Sequence, residues 1–294
     1  MHMKKPVKKI VFPVAGLATR FLPATKTVPK ELFPLVDKPL LQYAVEEALE
    51  AGIEEFVFIS SARKPAIEKH FSRMTDLEDY LEGLGKGAFA QMLRDCALDA
   101  DAVRIVYQEQ PLGLGHAVLM AKEAVGDEPF AVLLADDTIL HTPGTLKQMV
   151  DFYAGNDGAS LIAAQEVLPE QTKLYGIVDG TPEKGHLRVK TLVEKPPAGT
   201  APTNMAIIGR YLLQPDIFAI LDDMMAKRVQ GKELQLTDAI STLAQTHPVY
   251  GFLFEGKRFD CGHAAGFVEA SVAYALARPD IAGDLRAKLK ALLG

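Results

Sequence analysis

Close to its start the chain reads Val11-Phe12-Pro13-Val14-Ala15-Gly16-Leu17-Ala18-Thr19-Arg20, and it continues with Thr25-Lys26-Thr27-Val28-Pro29-Lys30. The apolar run from Ile10 to Val14 predicts a buried strand, and Gly16 predicts a tight turn after it, because glycine lacks a Cβ. Backbone N–H groups in such a turn form a concave site for anions. Arg20, Lys26 and Lys30 follow, and their charges suit a triphosphate. The alternative is an ordinary turn whose basic side chains are solvated.

Length, charge and cysteine content exclude several classes of protein. The 294 residues suffice for one large domain or two smaller ones, and the formal charge of −6 argues against a nucleic-acid surface. No stretch reaches the roughly 18 apolar residues of a membrane helix. Cys96 and Cys261 form no CxxC pair and indicate a reducing, cytoplasmic location. Pro13 interrupts the first apolar run, which argues against a signal peptide, and Met1-His2-Met3 is interpreted as a cloning remnant.

Strands and helices alternate through the first half of the chain. Apolar runs predict strands at 10–14, 56–59, 103–107 and 130–135, and helical spacing predicts helices at 38–51, 65–71, 116–125 and from Thr142 to Gly155. This alternation predicts an α/β fold with a Rossmann-like, doubly wound sheet that is mixed but mostly parallel. Ligands of such sheets bind beyond the carboxyl ends of the strands. The loops at Gly16, 108–115 and Asp136 all follow strands, so we expect them to meet.

The second half predicts a small additional β subregion and C-terminal helices. Strands are expected at 160–167, 176–178, 189–194 and 206–212, a turn at 179–185, a hairpin of 249–255 with 257–259, and helices at 215–229, 236–246, 264–277 and 280–293. The chain is interpreted as a single domain, 1–294. Residues 72–102 interrupt the alternation; Thr75 and Glu78 form a capping-box pattern that opens a helix there. We interpret this segment as an insertion that either covers the site or contacts a neighbouring subunit.

Two groups of acidic and basic residues end predicted strands. Asp136 follows an apolar run and Asp260 ends another strand; each is either a strand-end cap or a ligand of a hard cation such as Mg²⁺. Asp137 is an alternative ligand. Glu194 and Lys195 could bind sugar hydroxyls and a phosphate, or could form an exposed ion pair.

Other candidates carry weaker signals. Gln108 offers the donor and acceptor that a base edge requires, and Gly113 offers a backbone without a side chain. His116 is interpreted as a structural histidine at a helix start. A Gly-x-Ser-x-Gly elbow, a Gly-x-Gly-x-x-Gly fingerprint and a Walker A motif are all absent from the sequence. These absences argue against a serine hydrolase, a dehydrogenase and a P-loop NTPase.

Taken together, the motifs resemble the sugar-1-phosphate nucleotidyltransferases, and most closely the bacterial uridylyltransferases that act on glucose 1-phosphate. The resemblance covers nearly the whole chain and rests on ordered motifs: residues 15–26, Pro29-Lys30-Glu31, Val36-Asp37-Lys38-Pro39, Gly113-Leu114-Gly115-His116-Ala117, 133–137, Tyr175-Gly176, Val193-Glu194-Lys195-Pro196, Gly209-Arg210-Tyr211, Gln235-Leu236-Thr237-Asp238 and Phe259-Asp260-Cys261-Gly262. One departure is Ala18, where the family usually carries glycine. A methyl group there is tolerated if φ is negative and disfavours a positive φ.

The resemblance implies a role for each matching residue. Nucleotide binding would fall to Ala15, Gly16, Leu17, Thr19, Gln108 and Gly113, and catalytic contacts to Arg20, Lys30, Asp136 and Lys195. Tyr175, Gly176, Glu194 and Lys195 would bind the sugar phosphate, and Asp136 with Asp260 would hold Mg²⁺. It further implies a nucleotide-binding half (about 1–170), a sugar-phosphate half (about 171–262), and C-terminal helices (about 263–294) that serve a homodimer or homotetramer.

The implied reaction converts UTP and α-D-glucose 1-phosphate to UDP-glucose and diphosphate. A phosphate monoester is already anionic, so positioning and cation stabilisation are expected to dominate over general-base catalysis. Two alternatives stay open: transfer of thymidylyl from dTTP to a sugar 1-phosphate, and a sugar-nucleotide sensor without catalysis. The sensor alternative predicts loss of the charged residues, yet Arg20, Asp136, Lys195 and Asp260 are all present.

Overall fold

The computed structural model describes residues 5–156 and 158–294, so the interpretation of Met1-His2-Met3 lies outside the described residues. The strands are β1 (Lys9–Pro13), β2 (Pro34–Leu35), β3 (Lys38–Pro39), β4 (Glu55–Ser60), β5 (Val103–Tyr107), β6 (Phe130–Leu133), β7 (Asp137–Leu140), β8 (Ser160–Glu166), β9 (Gly176–Glu183), β10 (His186–Glu194), β11 (Met205–Leu213), β12 (Val249–Leu253) and β13 (Lys257–Asp260). The helices are α1 (Leu40–Glu50), α2 (Pro65–Phe71), α3 (Thr75–Gly83), α4 (Gly87–Cys96), α5 (Leu114–Met120), α6 (Lys122–Val125), α7 (Thr145–Gly155), α8 (Asp216–Ala226), α9 (Leu236–Leu243), α10 (Ala264–Ala277) and α11 (Pro279–Leu293).

A central mixed sheet runs through both halves of the described chain, in the order β5-β4-β1-β6-β11-β8-β12-β10-β9. The strands β5, β4, β1 and β6 are parallel to one another, whereas β11 is antiparallel to both β6 and β8. β12 returns parallel to β8, and β10 is antiparallel to β12 and β9. The predicted mostly parallel sheet is therefore wrong: within the described chain four neighbouring pairs are parallel and four are antiparallel, because the strands of the second half join the sheet mainly in antiparallel pairs. The carboxyl ends of β1, β4, β5 and β6 therefore lie at one edge.

Helices cover both faces of the sheet, because alternate strand residues point to opposite sides. Ile10 and Phe12 of β1 pack with α1, α2 and α7, while Val11 packs with α5, α8 and α9. The ring of Phe58 stacks on Phe12 and on Phe71, with centroid distances of 5.2 and 5.4 Å. Each fully buried side chain of this size contributes about 1.5–3 kcal/mol to folding, and this double layer fixes the strand ends that carry the site.

The predicted hairpin of 249–255 with 257–259 is wrong. β12 lies inside the central sheet, and β13 pairs instead with β7, a strand that the sequence did not predict. Gly256, with φ at +133°, turns the chain between them. The β7–β13 ladder places Asp260 opposite Asp137. Two segments that are distant in sequence, the one after β6 and the one at the end of β13, therefore lie side by side.

Three smaller differences concern element ends. The segment 179–185 is mostly strand, and the turn of the β9–β10 hairpin is Lys184-Gly185, where both φ angles are positive. The helix expected from His116 begins at Leu114 and is divided at Ala121. Thr75 does not cap α3, because the residue at the N-cap position is Met74. The backbone N–H of Met74 donates to the Glu78 carboxylate at 3.2 Å.

The insertion forms the pair α3 and α4, which pack on one another beside α2. Its two predicted roles, covering the site and contacting a subunit, stay predictions. None of the helices in the described ranges has the length and hydropathy that a bilayer crossing requires.

Candidate active site

The loop after β1 leaves the sheet at Val14, whose N–H donates to Ile59 at 2.8 Å. Ala18 then has φ at +51° and ψ at +46°. A methyl group at this position was expected to be tolerated at a negative φ, and the observed φ is positive. The Ala18 carbonyl accepts the Thr25 hydroxyl at 3.0 Å and the Phe21 N–H at 3.1 Å. These two bonds fix a left-handed conformation that costs an alanine about 1–2 kcal/mol.

A buried ion pair supports this loop from below. Lys64 donates to both carboxylate oxygens of Glu31, at 3.0 and 2.9 Å, and to the carbonyl of Val14 at 2.7 Å. Only 3% of Glu31 and 9% of Lys64 are exposed. Burial lowers the pKa of Lys64, and the neighbouring Glu31 carboxylate opposes that shift. One cation thus joins the end of β1 to the segment that carries Lys30.

Lys30 and Asp136 form the central contact of the site. The Lys30 ammonium lies 2.5 Å from Oδ2 of Asp136, although the two residues are far apart in sequence. Burial by itself would raise the pKa of Asp136, but the Lys30 charge and hydrogen bond hold it below its usual value. The same contact raises the pKa of Lys30 against the effect of burial. Asp136 is therefore an ionised carboxylate with a fixed cation beside it.

Asp260 and Arg20 approach Asp136 around Gly262. A Cβ built on Gly262 would lie 2.9 Å from Oδ1 of Asp260, 3.3 Å from Oδ2 of Asp136 and 3.8 Å from a terminal nitrogen of Arg20. The Gly262 N–H donates to Asp260 at 2.8 Å. Because these charged groups share one small space, a side chain at this position would fill it, and glycine keeps it open.

The donor set around Gly262 fits the Mg²⁺ that the resemblance implies. Asp136 and Asp260 supply two carboxylates, and in the described residues no group of three or more His, Cys, Asp or Glu side chains could hold a metal. Mg²⁺ typically takes one or two carboxylates and completes its shell with water and substrate phosphate oxygens. An all-protein cage is therefore not needed for this ion.

The predicted sugar-binding residues line one cavity of about 240 Å³, formed between β9, β10, β11 and the start of α9; those residues are Tyr175, Gly176, Glu194 and Lys195. The Thr237 hydroxyl donates to Glu194 at 2.6 Å and orients its carboxylate. A Cβ on Gly176 would lie only 3.1 Å from that carboxylate, so glycine opens the wall of the cavity. Lys195 has φ at +42°, and its ammonium lies 3.4 Å from Glu194.

Asp137 and Tyr175 connect this cavity to the carboxylate pair. Both residues line the cavity, and the Tyr175 hydroxyl lies 3.5 Å from Oδ2 of Asp260. Arg258 donates to Oδ1 of Asp137 at 2.7 Å and to the Tyr175 hydroxyl at 3.1 Å. Burial raises the pKa of Asp137, partly offset by the Arg258 charge. Both oxygens of Asp137 thus have partners, since Oδ2 accepts the Gly209 N–H at 3.1 Å. Asp136 faces the open space over Gly262 and is the better candidate for a cation ligand.

The third loop holds Gln108 beside His116. Gln108 is 8% exposed, and its amide nitrogen lies 2.8 Å from Nδ1 of His116. Gly113 has φ at +105°, and a Cβ there would lie 2.6 Å from the carbonyl oxygen of Leu234. The structure thus gives Gly113 a packing role, and the contacts of Gln108 and Gly113 with a nucleotide stay predictions.

Comparison with known proteins identifies the family. Residues 10–276 match the family described as Nucleotidyl transferase. The chain is a member of this nucleotidyltransferase family. Over 291 residues it is 45% identical to a UTP–glucose-1-phosphate uridylyltransferase of Staphylococcus epidermidis, spanning 98% of this chain and 99% of that protein. The enzyme of the same description from Bacillus subtilis is 44% identical, with 98% of each chain covered.

Solved structures resemble this nucleotidyltransferase over nearly its whole length. A UDP-glucose pyrophosphorylase complexed with UDP-glucose is 42% identical, with a TM-score of 0.80 over 92% of this chain and 100% of that chain. A UTP-bound enzyme of Acinetobacter baumannii is 38% identical, with a TM-score of 0.86 over 96% and 98% of the two chains. The family prediction from the motifs is confirmed, as is an α/β fold with a mixed central sheet.

Sequence reasoning assigned no role to several residues that shape the nucleotidyltransferase site. Glu31 and Thr237 lie inside the quoted motifs, and Arg258 directly precedes one, so the motif pattern was the available signal. Lys64 lies in no motif, and only the fold brings it to Glu31. By contrast, Arg20, Lys30, Asp136 and Asp260 were singled out from the sequence, and the fold brings them together.

Proposed function

We propose that this nucleotidyltransferase transfers the uridylyl group of UTP to α-D-glucose 1-phosphate and releases diphosphate. One observation carries the proposal: the Lys30–Asp136 pair meets Arg20 and Asp260 at Gly262, directly beside a cavity of about 240 Å³ that Tyr175 and Glu194 line. Relatives at 44–45% identity that bear the corresponding name support the choice of substrates.

The proposed chemistry is an in-line attack of the sugar phosphate oxygen on the α-phosphorus of UTP. The attacking oxygen is already anionic, so repulsion between two anions and charge on the departing diphosphate set the barrier. Arg20 and Lys30 would neutralise the triphosphate, and Lys195 would hold the sugar phosphate. Fixed cations of this kind stabilise developing charge without reorganising during the reaction.

Mg²⁺ is the proposed cofactor, held by Asp136 and Asp260. When bound, it supplies Lewis-acid stabilisation of phosphate oxygens and a template for the two substrates. The chain itself contributes two carboxylates that face the open space over Gly262. Lys30 keeps one of them, Asp136, ionised.

Several finer features are part of the proposal. The sheet up to β8 is taken as a Rossmann-like, doubly wound nucleotide-binding half (about 1–170), followed by a sugar-phosphate half (about 171–262) and C-terminal helices (about 263–294) within one domain. The protein is further proposed to be a cytoplasmic homodimer or homotetramer that binds neither nucleic acid nor membranes. Ala15, Gly16, Leu17, Thr19, Gln108 and Gly113 are the proposed nucleotide-binding residues.

The test is a matrix of diphosphate-release assays that pairs UTP, dTTP and CTP with several sugar 1-phosphates. We expect the largest kcat/KM for UTP with glucose 1-phosphate, and loss of turnover when Mg²⁺ is chelated. A preference for dTTP would assign the protein to thymidylyl transfer. Binding of UDP-glucose without any diphosphate release would instead support the sensor alternative.

A further inference from the structure

Three side chains from three helices meet outside the proposed active site. They are Gln42 on α1, His70 on α2 and Cys96 at the end of α4. The imidazole Nε2 of His70 lies 3.2 Å from Oε1 of Gln42 and 3.3 Å from Sγ of Cys96. Sγ of Cys96 lies 3.4 Å from the same amide oxygen. A sulfur, a nitrogen and an oxygen thus form a nearly equilateral triangle.

The size of this triangle matches one face of a tetrahedral metal site. Zinc binds cysteine sulfur at about 2.3 Å and histidine nitrogen at about 2.0–2.1 Å, so ligand atoms at tetrahedral angles lie about 3.3–3.6 Å apart. The three observed separations are within a few tenths of an ångström of that range. All three residues are partly exposed, which leaves a route for an ion and for a water molecule.

The orientation of Gln42 is set by a second contact. Its amide nitrogen donates to Oε1 of Glu46 at 3.1 Å, which turns the amide oxygen toward His70 and Cys96. The other oxygen of Glu46 accepts from Lys38 at 2.6 Å. Outer groups that orient metal ligands in this way are a recurring part of metal sites.

We propose that Gln42, His70 and Cys96 bind a thiophilic divalent cation of the zinc type, with water as the fourth ligand. The site joins α4 of the insertion to α1 and α2 of the main body, and its occupation stabilises that junction. It is separate from the proposed catalytic carboxylates, which offer only oxygen ligands.

Proton release accompanies binding at this site. Burial and the nearby Glu46 charge raise the pKa of the Cys96 thiol, and burial lowers the pKa of His70. The imidazole is therefore neutral, and its proton shifts to Nδ1 so that the Nε2 lone pair can bind the cation. The thiol proton goes to solvent as the metal–sulfur bond forms, so affinity rises with pH.

Cobalt(II) titration of the full chain tests the proposal, because thiolate ligation gives a sulfur-to-metal charge-transfer band in the near ultraviolet. Excess Mg²⁺ keeps the catalytic carboxylates from binding cobalt. We expect one equivalent to produce the band and Zn²⁺ to displace it. The band should disappear in Cys96→Ser and persist in Cys261→Ser, which removes the other cysteine.

Two further variants make the result independent of any folding defect in Cys96→Ser. Gln42→Ala keeps the sulfur and imidazole ligands but removes the oxygen ligand, and should weaken zinc affinity by at least about tenfold, the lower end of the loss seen even for groups that only orient a metal ligand. His247→Gln, which removes a surface histidine, should bind as the wild type does. A wild type without the band, or a band that survives Cys96→Ser, would overturn the proposal. Equal zinc affinity in wild type and Gln42→Ala would also contradict it.

Discussion

The ammonium of Lys30 lies 2.5 Å from Oδ2 of Asp136, on the carboxylate that is proposed to hold a cation. Oxygen atoms of Asp136 and Asp260 both face the open space over Gly262. The lysine therefore occupies part of the coordination space of Asp136 while no substrate is present. Under the proposed function, the oxygens of an entering triphosphate would offer Lys30 a second acceptor, and nucleotide and metal binding at Asp136 would be coupled.

Replacing Lys30 with methionine should shift the pH dependence of the reaction. Lys30 lowers the pKa of Asp136, while burial acts in the opposite direction. Lys30→Met removes the largest contributions that oppose burial and leaves only the backbone hydrogen bond of Asp136 and the Arg258 charge, so the pKa rises and the acid limb of kcat/KM moves to higher pH. In the wild type, the stability from charged Asp136 is present above the unfolded pKa and is lost as pH falls through the lowered folded pKa. The measurement is a pH–rate profile at a fixed Mg²⁺ concentration well below saturation, because a saturating cation on Asp136 would keep the carboxylate ionised in both proteins.

The control for this prediction is Lys69→Met, which removes an exposed lysine from α2. Its acid limb should coincide with that of the wild type. An unchanged limb in Lys30→Met would mean that Lys30 does not set the ionisation of Asp136.

Ala18→Gly should stabilise the protein. Ala18 has φ at +51°, a conformation that costs an L-residue with a Cβ about 1–2 kcal/mol and glycine almost nothing. Glycine loses more entropy on folding, so the expected net gain in unfolding free energy is about 1 kcal/mol. Urea unfolding measures it. Ala24→Gly, at a position without positive φ, should instead destabilise by about 0.4–1 kcal/mol; equal effects of the two variants would contradict the explanation.

Lys64→Met should be strongly destabilising. The variant leaves the Glu31 carboxylate buried without its cation, and breaking such a pair costs about 3–5 kcal/mol of unfolding free energy. The double variant Lys64→Met with Glu31→Gln should recover much of that loss, because no unpaired charge is buried. Lys122→Met, which breaks the exposed pair with Asp222, should cost at most about 1 kcal/mol. A double variant no more stable than Lys64→Met would show that the buried charge is not the cause.

The sequence predicted those parts of the site that follow from local pattern. An apolar run before Gly16, and another before Asp136, place both loops at strand ends, and β1 and β6 are neighbours in the sheet. The motif Val193-Glu194-Lys195-Pro196 likewise predicted that Glu194 and Lys195 lie at the end of a strand, which is β10 in the structure. In these cases a short window of sequence contains both the strand and the residue that it positions.

Non-local pairing explains what the sequence did not predict. β7 is a short strand whose partner, β13, lies far along the chain, so the pairing of Asp137 with Asp260 has no local signal. Lys64 reaches Glu31 only because α2 packs beside the β1 loop. Ala18 adopts a positive φ against its intrinsic preference, since Thr25 and Phe21 both donate to its carbonyl. Tertiary contacts override the local preference at each of these positions.

His116 should control discrimination between uracil and cytosine, if the proposed nucleotide role of Gln108 is correct. Burial, followed by the Arg228 charge, lowers the pKa of His116, so the ring is neutral and Nδ1 accepts from the Gln108 amide nitrogen. The Gln108 oxygen is then left to accept the N3–H of uracil, which cytosine lacks. His116→Phe should reduce the UTP:CTP ratio of kcat/KM about tenfold or more, the effect of one misplaced buried hydrogen bond.

The matched variant for this prediction is His116→Asn, whose side-chain oxygen can accept in place of Nδ1. It should retain most of the selectivity. Equal selectivity in the wild type and His116→Phe would show that the histidine does not orient Gln108.

Lys195 tests the sugar-phosphate side of the site through two substitutions that differ only in a methyl group. Lys195→Ala and Lys195→Gly both remove the ammonium beside Glu194, and kcat/KM for glucose 1-phosphate should fall about 10- to 100-fold in each, as expected for a lost charge-assisted contact. The backbone at this position has φ at +42°, so the glycine variant should be more stable than the alanine variant by about 1 kcal/mol. Steady-state kinetics and urea unfolding of the same two proteins separate the roles of charge and conformation. Lys190→Ala, which removes an exposed lysine from the same strand, should leave kcat/KM unchanged. A comparable loss in Lys190→Ala would mean that general positive charge on β10, and not the position of Lys195, attracts the sugar phosphate.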